Sequence, residues 1–301
     1  MLKKKILKAL RVAPGSRVDL ARFDSGWAVI PELAGAGKAV VQQAAQDTLE
    51  HNLAELAEAQ ELLWANDMNS VLVILQAMDA AGKDGTIKHV MSGINPQGCQ
   101  VFSFKAPSAE ELDHDFLWRY SKALPERGRI GIFNRSYYEE VLVVKVHPEI
   151  LEKQKLPDGK RGAGFWKARY DDINRFERHL TRSGTLVLKF FLHISKDEQK
   201  RRFLDRLDDP AKQWKFSLGD LAERQHWDAY QGAFEDALSA TSTKWAPWYI
   251  IPADHKWAAR ALVAEVMVTA MGKLKLEPPT VSPEQQRLLA EARKRLLAES
   301  K

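Results

Sequence analysis

The tightest constraint in the chain is an apolar run that ends in a glycine-lysine turn, Ser70-Val-Leu-Val-Ile-Leu-Gln-Ala77 followed by Met78-Asp-Ala-Ala-Gly-Lys-Asp-Gly-Thr-Ile87. A continuous β-branched and apolar run bounded by glycine reads as a strand buried on both faces, the form that parallel sheets require. A helix through Lys88 to Met91 follows the turn. Strand, Gly-Lys turn and helix together are the context of a phosphate-binding P-loop. In such a loop consecutive backbone N–H groups and the helix N-terminus point at anionic oxygens, and Lys83 adds a mobile positive charge. The strict pattern GxxxxGK[ST] is broken by Ala77 and Asp84, so by pattern alone the match is weak, and a plain Gly-Lys turn of an α/β protein is the competing reading. Asp79 inside it repels phosphate unless a divalent cation lies between them, which makes Asp79 a candidate Mg²⁺ ligand, directly or through water. Thr86 stands either as the hydroxyl missing at Asp84 or as a helix cap.

Further strands are expected at 100–104, 129–133, 185–194 and 248–251, with helices at 38–66, 109–124, 136–146, 165–182, 196–207 and 219–239 between or before them. Alternating strands and helices imply a parallel sheet covered on both faces. Residues 151–164 read as a surface loop, 207–220 as a mobile segment and 283–299 as an amphipathic tail helix. After the third strand comes Asn134-Arg-Ser-Tyr-Tyr-Glu-Glu140. Ligands of open α/β sheets bind at the carboxyl ends of the strands, so this segment and the Gly-Lys loop are expected to face one site. Arg135 suits phosphate through its planar fork, and Glu139 or Glu140 suits a metal. A helix start capped by Asn134 explains the Asn, Ser and Glu as well, but not the arginine.

Composition narrows the class. With 301 residues, 45% apolar and 28% charged, the chain is expected to be globular and soluble. Its single Cys99 allows no internal disulfide, and no paired Cys/His spacing marks a zinc site, which points to the cytoplasm. No apolar run reaches membrane-spanning length and no signal-peptide pattern opens the chain, so no membrane partner is expected. A net charge of +5 is mild, which argues against nucleic acid as the partner. That charge is uneven: residues 1–22 hold +6 and residues 153–182 another +5. The head reads as a solvated basic arm. Leu288, Leu289, Leu296 and Leu297 on the tail point to a homo-oligomer.

These segments resemble the polyphosphate kinase 2 family, and within it class III. The resemblance is carried by MDAAGKDGTI, by GINPQGCQVFSFKAPSAEELDHDFLWRY at 93–120, and by GRIGIFNRSYYEEVLVVKVHPE at 128–149. HISKDEQKRRFLDRLDDPAKQWKFSLGDLAER at 193–224 and TSTKWAPWYIIPADHKW at 241–257 complete it. It covers residues 25–272, leaving a basic arm at 1–24 and a helical tail at 273–301. It implies a P-loop-kinase-like three-layer α/β/α fold with a five-stranded parallel sheet and a helical lid at 196–226. It also implies Mg²⁺-assisted phosphoryl transfer, with Mn²⁺ as a substitute, between inorganic polyphosphate and adenine or guanine nucleotides.

Carried over by position, the resemblance implies Asp79, Lys83, Arg135 and Glu139 as catalytic residues, with Asp79 and Glu139 holding metal. Ala80, Ala81, Gly82, Lys83, Asp84, Gly85, Thr86, Arg135, Lys145, Arg201, Arg202 and Arg206 are then expected to bind phosphate. Asn134, Glu139, Trp214 and Phe216 are expected to meet the nucleotide. Class I members carry Asp and Asn where this chain has Asn134 and Glu139, an exchange that implies acceptance of both nucleoside mono- and diphosphates. For the three lid arginines a solvated face is the competing reading, and for the two aromatics it is lid packing. Two other functions fit the residues: an ATP-dependent nucleotide kinase of the same fold, and a non-catalytic polyanion binder, which would be strongly salt-dependent.

Overall fold

The computed structural model describes residues 2–299. Five parallel strands, β1 (Ser70–Ala77), β2 (Cys99–Ser103), β3 (Ile130–Asn134), β4 (Thr185–His193) and β5 (Trp248–Pro252), lie in the order β2-β3-β1-β4-β5. The order reverses beside β1, with β3 on one side and β4 on the other, which opens a crevice at the carboxyl end of β1. The central strands are apolar throughout because helices cover both faces. Helices Lys38–Asn66, Lys83–Val90 and Lys256–Met271 pack together on one face, and Ala163–Arg182 and Trp227–Thr241 pack on the other. The expected three-layer α/β/α architecture is therefore the observed one.

Several elements differ from expectation. The helix expected at 109–124 is two short ones, Ala109–Leu112 and Trp118–Ser121. Asp115 Oδ1 accepts from the Leu117 N–H at 2.9 Å, and this local bond replaces a turn of helix between them. The segment after β3 begins as a 3₁₀ turn, Tyr137–Val141, before the short helix Val143–Val146. The region expected as a lid, 196–226, consists of helix Lys196–Asp208, a 3₁₀ turn at Gln213–Lys215, helix Leu218–Glu223 and a 3₁₀ turn at Arg224–His226.

The basic head is not a solvated arm. Residues Leu2–Leu10 form a helix, Arg11 pairs with Tyr249 as an antiparallel bridge on the free edge of β5, and the Val12 N–H donates to the Trp248 carbonyl at 2.9 Å. Leu10, Val12, Val18 and Leu20 are buried in the main core. Trp227–Thr241 supplies acceptors for the strap that follows: Ser239 Oγ accepts from the Val18 N–H and Glu235 Oε1 from the Leu20 N–H, each at 2.8 Å. The boundary expected at residue 24 is thus absent from the packing. Pro283–Ala298 is the expected tail helix, opened by a capping box at Ser282 and Gln285, and it buries none of its residues. No described helix is long and apolar enough to cross a membrane.

Candidate active site

The loop from Met78 to Gly82 leaves β1 and enters the helix Lys83–Val90 through Gly82, whose φ of 103° suits glycine alone. No side chain caps this helix, and the N–H groups of Gly82, Lys83, Asp84 and Gly85 have no backbone acceptor among the described residues. They form a concave donor surface at the positive end of the helix dipole. Ala80 holds φ at 61° and Arg135, just past β3, at 65°. Left-handed backbone is costly for side-chain-bearing residues and persists where surrounding contacts over-determine it. Both strained residues lie at this crevice.

Lys83 Nζ donates to the Ala77 carbonyl at 3.1 Å. Burial lowers the pKa of its ammonium, and Arg135 pushes the same way, while the carboxylates of Asp79, Glu139 and Asp84 oppose the shift. Arg135 Nη2 reaches Asp79 Oδ1 at 3.1 Å. Burial works against its charge too, but Glu139, Asp79 and Asp220 outweigh that and raise its pKa. Glu139 Oε1 accepts from Gln76 Nε2 at 2.9 Å. Lys83, Arg135, Asp79 and Glu139, the expected catalytic set, therefore form one electrostatic cluster. The Asn134 amide donates to Asp84 Oδ1 at 2.7 Å, tying the end of β3 to the first turn of Lys83–Val90.

Arg135 and Glu139 each line two cavities. One, of about 240 Å³, lies beneath the lid and includes Asp79, Asp220, Glu223, Arg224 and Tyr230. The Asp220 carboxyl there is pushed up by burial and by the facing Asp79. The other, of about 600 Å³, is walled by Phe116, Arg119, Tyr120, Glu140 and Arg169. Arg169 lies over the Phe116 ring, 4.3 Å from its centroid, and pairs with Glu140 at 3.3 Å, while Arg119 Nη2 donates to the Tyr120 hydroxyl at 2.7 Å. Of these wall residues only Glu140 was named beforehand, as an alternative to Glu139 for a metal. The signal for Phe116, Arg119 and Tyr120 is the interleaving of aromatic and basic side chains in Phe116-Leu-Trp-Arg-Tyr120.

Other expected residues stand elsewhere. Lys145 donates to Asp236 Oδ2 at 2.5 Å and to the Tyr170 hydroxyl, in a separate cavity of about 570 Å³ that Arg17 also lines. Arg201 lies on the solvent face between Glu198 and Asp205. Arg202 is buried with every donor occupied by protein. Arg206 approaches Asp220 at 3.6 Å beneath the lid. Trp214 is 78% exposed and Phe216 packs edge-on against Phe203, and neither lines the cavities that Arg135 and Glu139 share. Thr86 is buried and its N–H is used by the Gly82 carbonyl, so it neither caps the helix nor joins the donor surface.

A family model described as Polyphosphate kinase 2 (PPK2) matches residues 39–278. An ADP-polyphosphate phosphotransferase of Rhodopseudomonas palustris is 51% identical over 291 residues, 96% of this chain and 98% of that one. An AMP/ADP-polyphosphate phosphotransferase of Meiothermus ruber is 45% identical, over 95% of this chain and 100% of that one. The crystal structure of polyphosphate kinase 2 from Arthrobacter aurescens superposes with a TM-score of 0.83 at 42% identity, covering 95% of this chain and 96% of that one.

Proposed function

Since the chain belongs to the polyphosphate kinase 2 family, we propose that it moves the terminal phosphoryl group of inorganic polyphosphate onto nucleoside mono- and diphosphates, AMP to ADP to ATP. The observation that carries this reading is the position of Arg135 and Glu139 on both cavities, beside the donor surface at Gly82–Gly85. A nucleotide held in the larger cavity, between Phe116, Arg119 and Arg169, brings a terminal phosphate oxygen to Arg135. A polyphosphate end on the loop brings its last phosphorus to the same place.

The acceptor oxygen attacks that phosphorus, the P–O bond to the next phosphate breaks, and the shortened polyphosphate leaves with the bond's electron pair. Protein nucleophiles are not required; catalysis is in-line positioning with Lys83 and Arg135 neutralising charge on the transferring group. Mg²⁺, or Mn²⁺ in its place, fits the donor set. Among the described residues no group of three or more metal-ligating side chains occurs, and Mg²⁺ at phosphoryl-transfer sites typically takes one or two carboxylates and completes its shell with water and phosphate. Asp79 and Glu139 would hold it, and when bound it neutralises phosphate oxygens.

The two relatives differ in the acceptors their names give, ADP in one and AMP or ADP in the other. Glu139 is our reason for placing this chain with the broader acceptor range, and guanine nucleotides belong to the same proposal. So do a homo-oligomer formed through the exposed leucines of Pro283–Ala298 and a cytoplasmic setting. The deciding assay incubates AMP and ADP separately with polyphosphate and Mg²⁺ and separates the products. ADP and ATP are expected from AMP, with Lys83→Ala slowing turnover roughly 10²–10³-fold. Phosphorylation of AMP by ATP alone, with polyphosphate inert, would instead make the protein an ATP-dependent kinase.

A further inference from the structure

The phosphate loop has two edges, and one helix holds the edge that carries the carbonyls. Gln199 Nε2 donates to the Asp79 carbonyl at 3.0 Å. Arg202 Nη1 donates to the carbonyls of Ala80 and Ala81, both at 2.9 Å. Lys83 Nζ and the Ala81 N–H take the carbonyls of Ala77 and Met78. Every carbonyl from 77 to 81 is thus occupied, while the N–H groups of Gly82 to Gly85 are left to face outward. The remaining Arg202 donors go to Glu198 Oε1 at 2.7 Å and to the carbonyls of Ala253 and Asp254, just past β5, at 2.6 and 3.2 Å. A guanidinium has five N–H donors, and all five are used in a residue only 5% exposed.

We propose that Arg202, supported by Gln199, is a positioning residue for phosphoryl transfer. It pins the carbonyl edge of the loop to helix Lys196–Asp208 and to the segment after β5, which holds Ala80 in its left-handed conformation and turns the N–H groups toward the transferring phosphate. Arg202 touches no phosphate. The planar five-donor fork, not the charge, is what the loop needs, and a lysine cannot replace it. Gln199 extends the clamp to the lid: its Oε1 accepts from Arg224 Nη1 at 2.8 Å, next to helix Leu218–Glu223. This inference rests on the reading that the loop receives the polyphosphate end.

The test compares Arg202→Lys, Arg202→Ala and Gln199→Leu with wild type, using ADP, Mg²⁺ and long-chain polyphosphate at several salt concentrations. Both Arg202 variants are expected to lose about 100-fold in kcat, the cost of misplacing reacting groups by about 1 Å. The slope of log KM for polyphosphate against log salt is expected to stay at the wild-type value, since each lost phosphate contact would flatten it. Guanidinium ion at low millimolar concentration is expected to restore part of the turnover of Arg202→Ala, and ammonium none. Near-wild-type kcat in Arg202→Lys, or a flattened salt slope in Arg202→Ala, overturns the proposal and makes Arg202 a supplier of charge. If the Arg202 variants do not fold, Gln199→Leu decides: it frees one loop carbonyl and is expected to lower kcat about tenfold with an unchanged salt slope. Wild-type kcat in that variant refutes the clamp. Absence of ATP formation by the wild-type protein is a different result, counting against the proposed function itself.

Discussion

Lys83 sits where burial and Arg135 disfavour its charge and three carboxylates restore part of it. A lysine that neutralises a transferring phosphoryl group must be protonated, so the alkaline limb of kcat/KM reports its loss of a proton in the free enzyme. With its pKa lowered, that limb is expected below the ordinary lysine range. Asp79 is the strongest of the carboxylates that raise the pKa, so Asp79→Asn is expected to move the limb further down. A pH profile of kcat/KM for both proteins checks this, and a limb that shifts upward in the variant rejects the assignment. Lys83, Asp79 and Arg135 were legible in the sequence because each lies beside a strand end whose apolar run is itself legible. The role of Arg202 was not. Its carbonyl acceptors lie 51 to 122 residues away along the chain, and only the folded packing distinguishes a saturated guanidinium from a free one.

At the scale of elements, β4 contains Lys189 inside an otherwise apolar run, and no periodicity announces its partners. It is fully buried, with its ammonium bonded to Glu177 Oε2 at 2.6 Å, the Tyr138 hydroxyl at 2.9 Å and the Thr241 carbonyl at 2.7 Å. Glu177 Oε1 in turn accepts from the hydroxyls of Tyr137 and Tyr138 at 3.0 and 2.8 Å. These two tyrosines immediately precede Glu139, so a buried ion pair joining Ala163–Arg182 to β4 also sets the turn that carries a catalytic candidate. Removing one member of a buried pair strands the other, at a cost of about 3–5 kcal/mol. Lys189→Met is expected to lose that much in urea unfolding, and Glu177→Gln less, since an amide still accepts hydrogen bonds. A Lys189→Met protein as stable as wild type would show that Glu177 is readily protonated or rehydrated. Five strands and most of the long helices were readable from apolar patterning, because it is local, but helix Lys256–Met271, buried along most of its length, was not among those expected. The break at Asp115 and the 3₁₀ turn at Tyr137–Val141 were not readable, since each turns on a short side-chain-to-backbone bond, Asp115 to the Leu117 N–H and Ser136 to the Tyr138 N–H, that apolar periodicity does not register.

For the whole molecule, the distribution of charge matters more than its net value of +5. The basic head does not reach toward the phosphate crevice: Lys3 pairs with Glu265 at 2.5 Å, Lys5 with Glu32, and Arg11 lies against β5. Charge counting made it an arm, but the apolar residues between the cations, Leu10, Val12, Val18 and Leu20, make it part of the core. It also closes the free edge of β5, which would otherwise offer unpaired backbone groups to another chain. Each of those four side chains contributes about 1.5–3 kcal/mol on burial, a sum comparable with the 5–15 kcal/mol that stabilises a typical domain. Deleting residues 1–22 is therefore expected to lower the thermal midpoint by at least about 10 °C and to promote aggregation. Deleting residues 279–301 removes a helix that buries none of its residues in this chain. That deletion is expected to leave the midpoint of the body in place while shifting light-scattering mass toward the monomer. Calorimetry and light scattering on the two truncations separate the cases, and an unchanged midpoint after loss of the head would show that its buried residues add nothing to the fold.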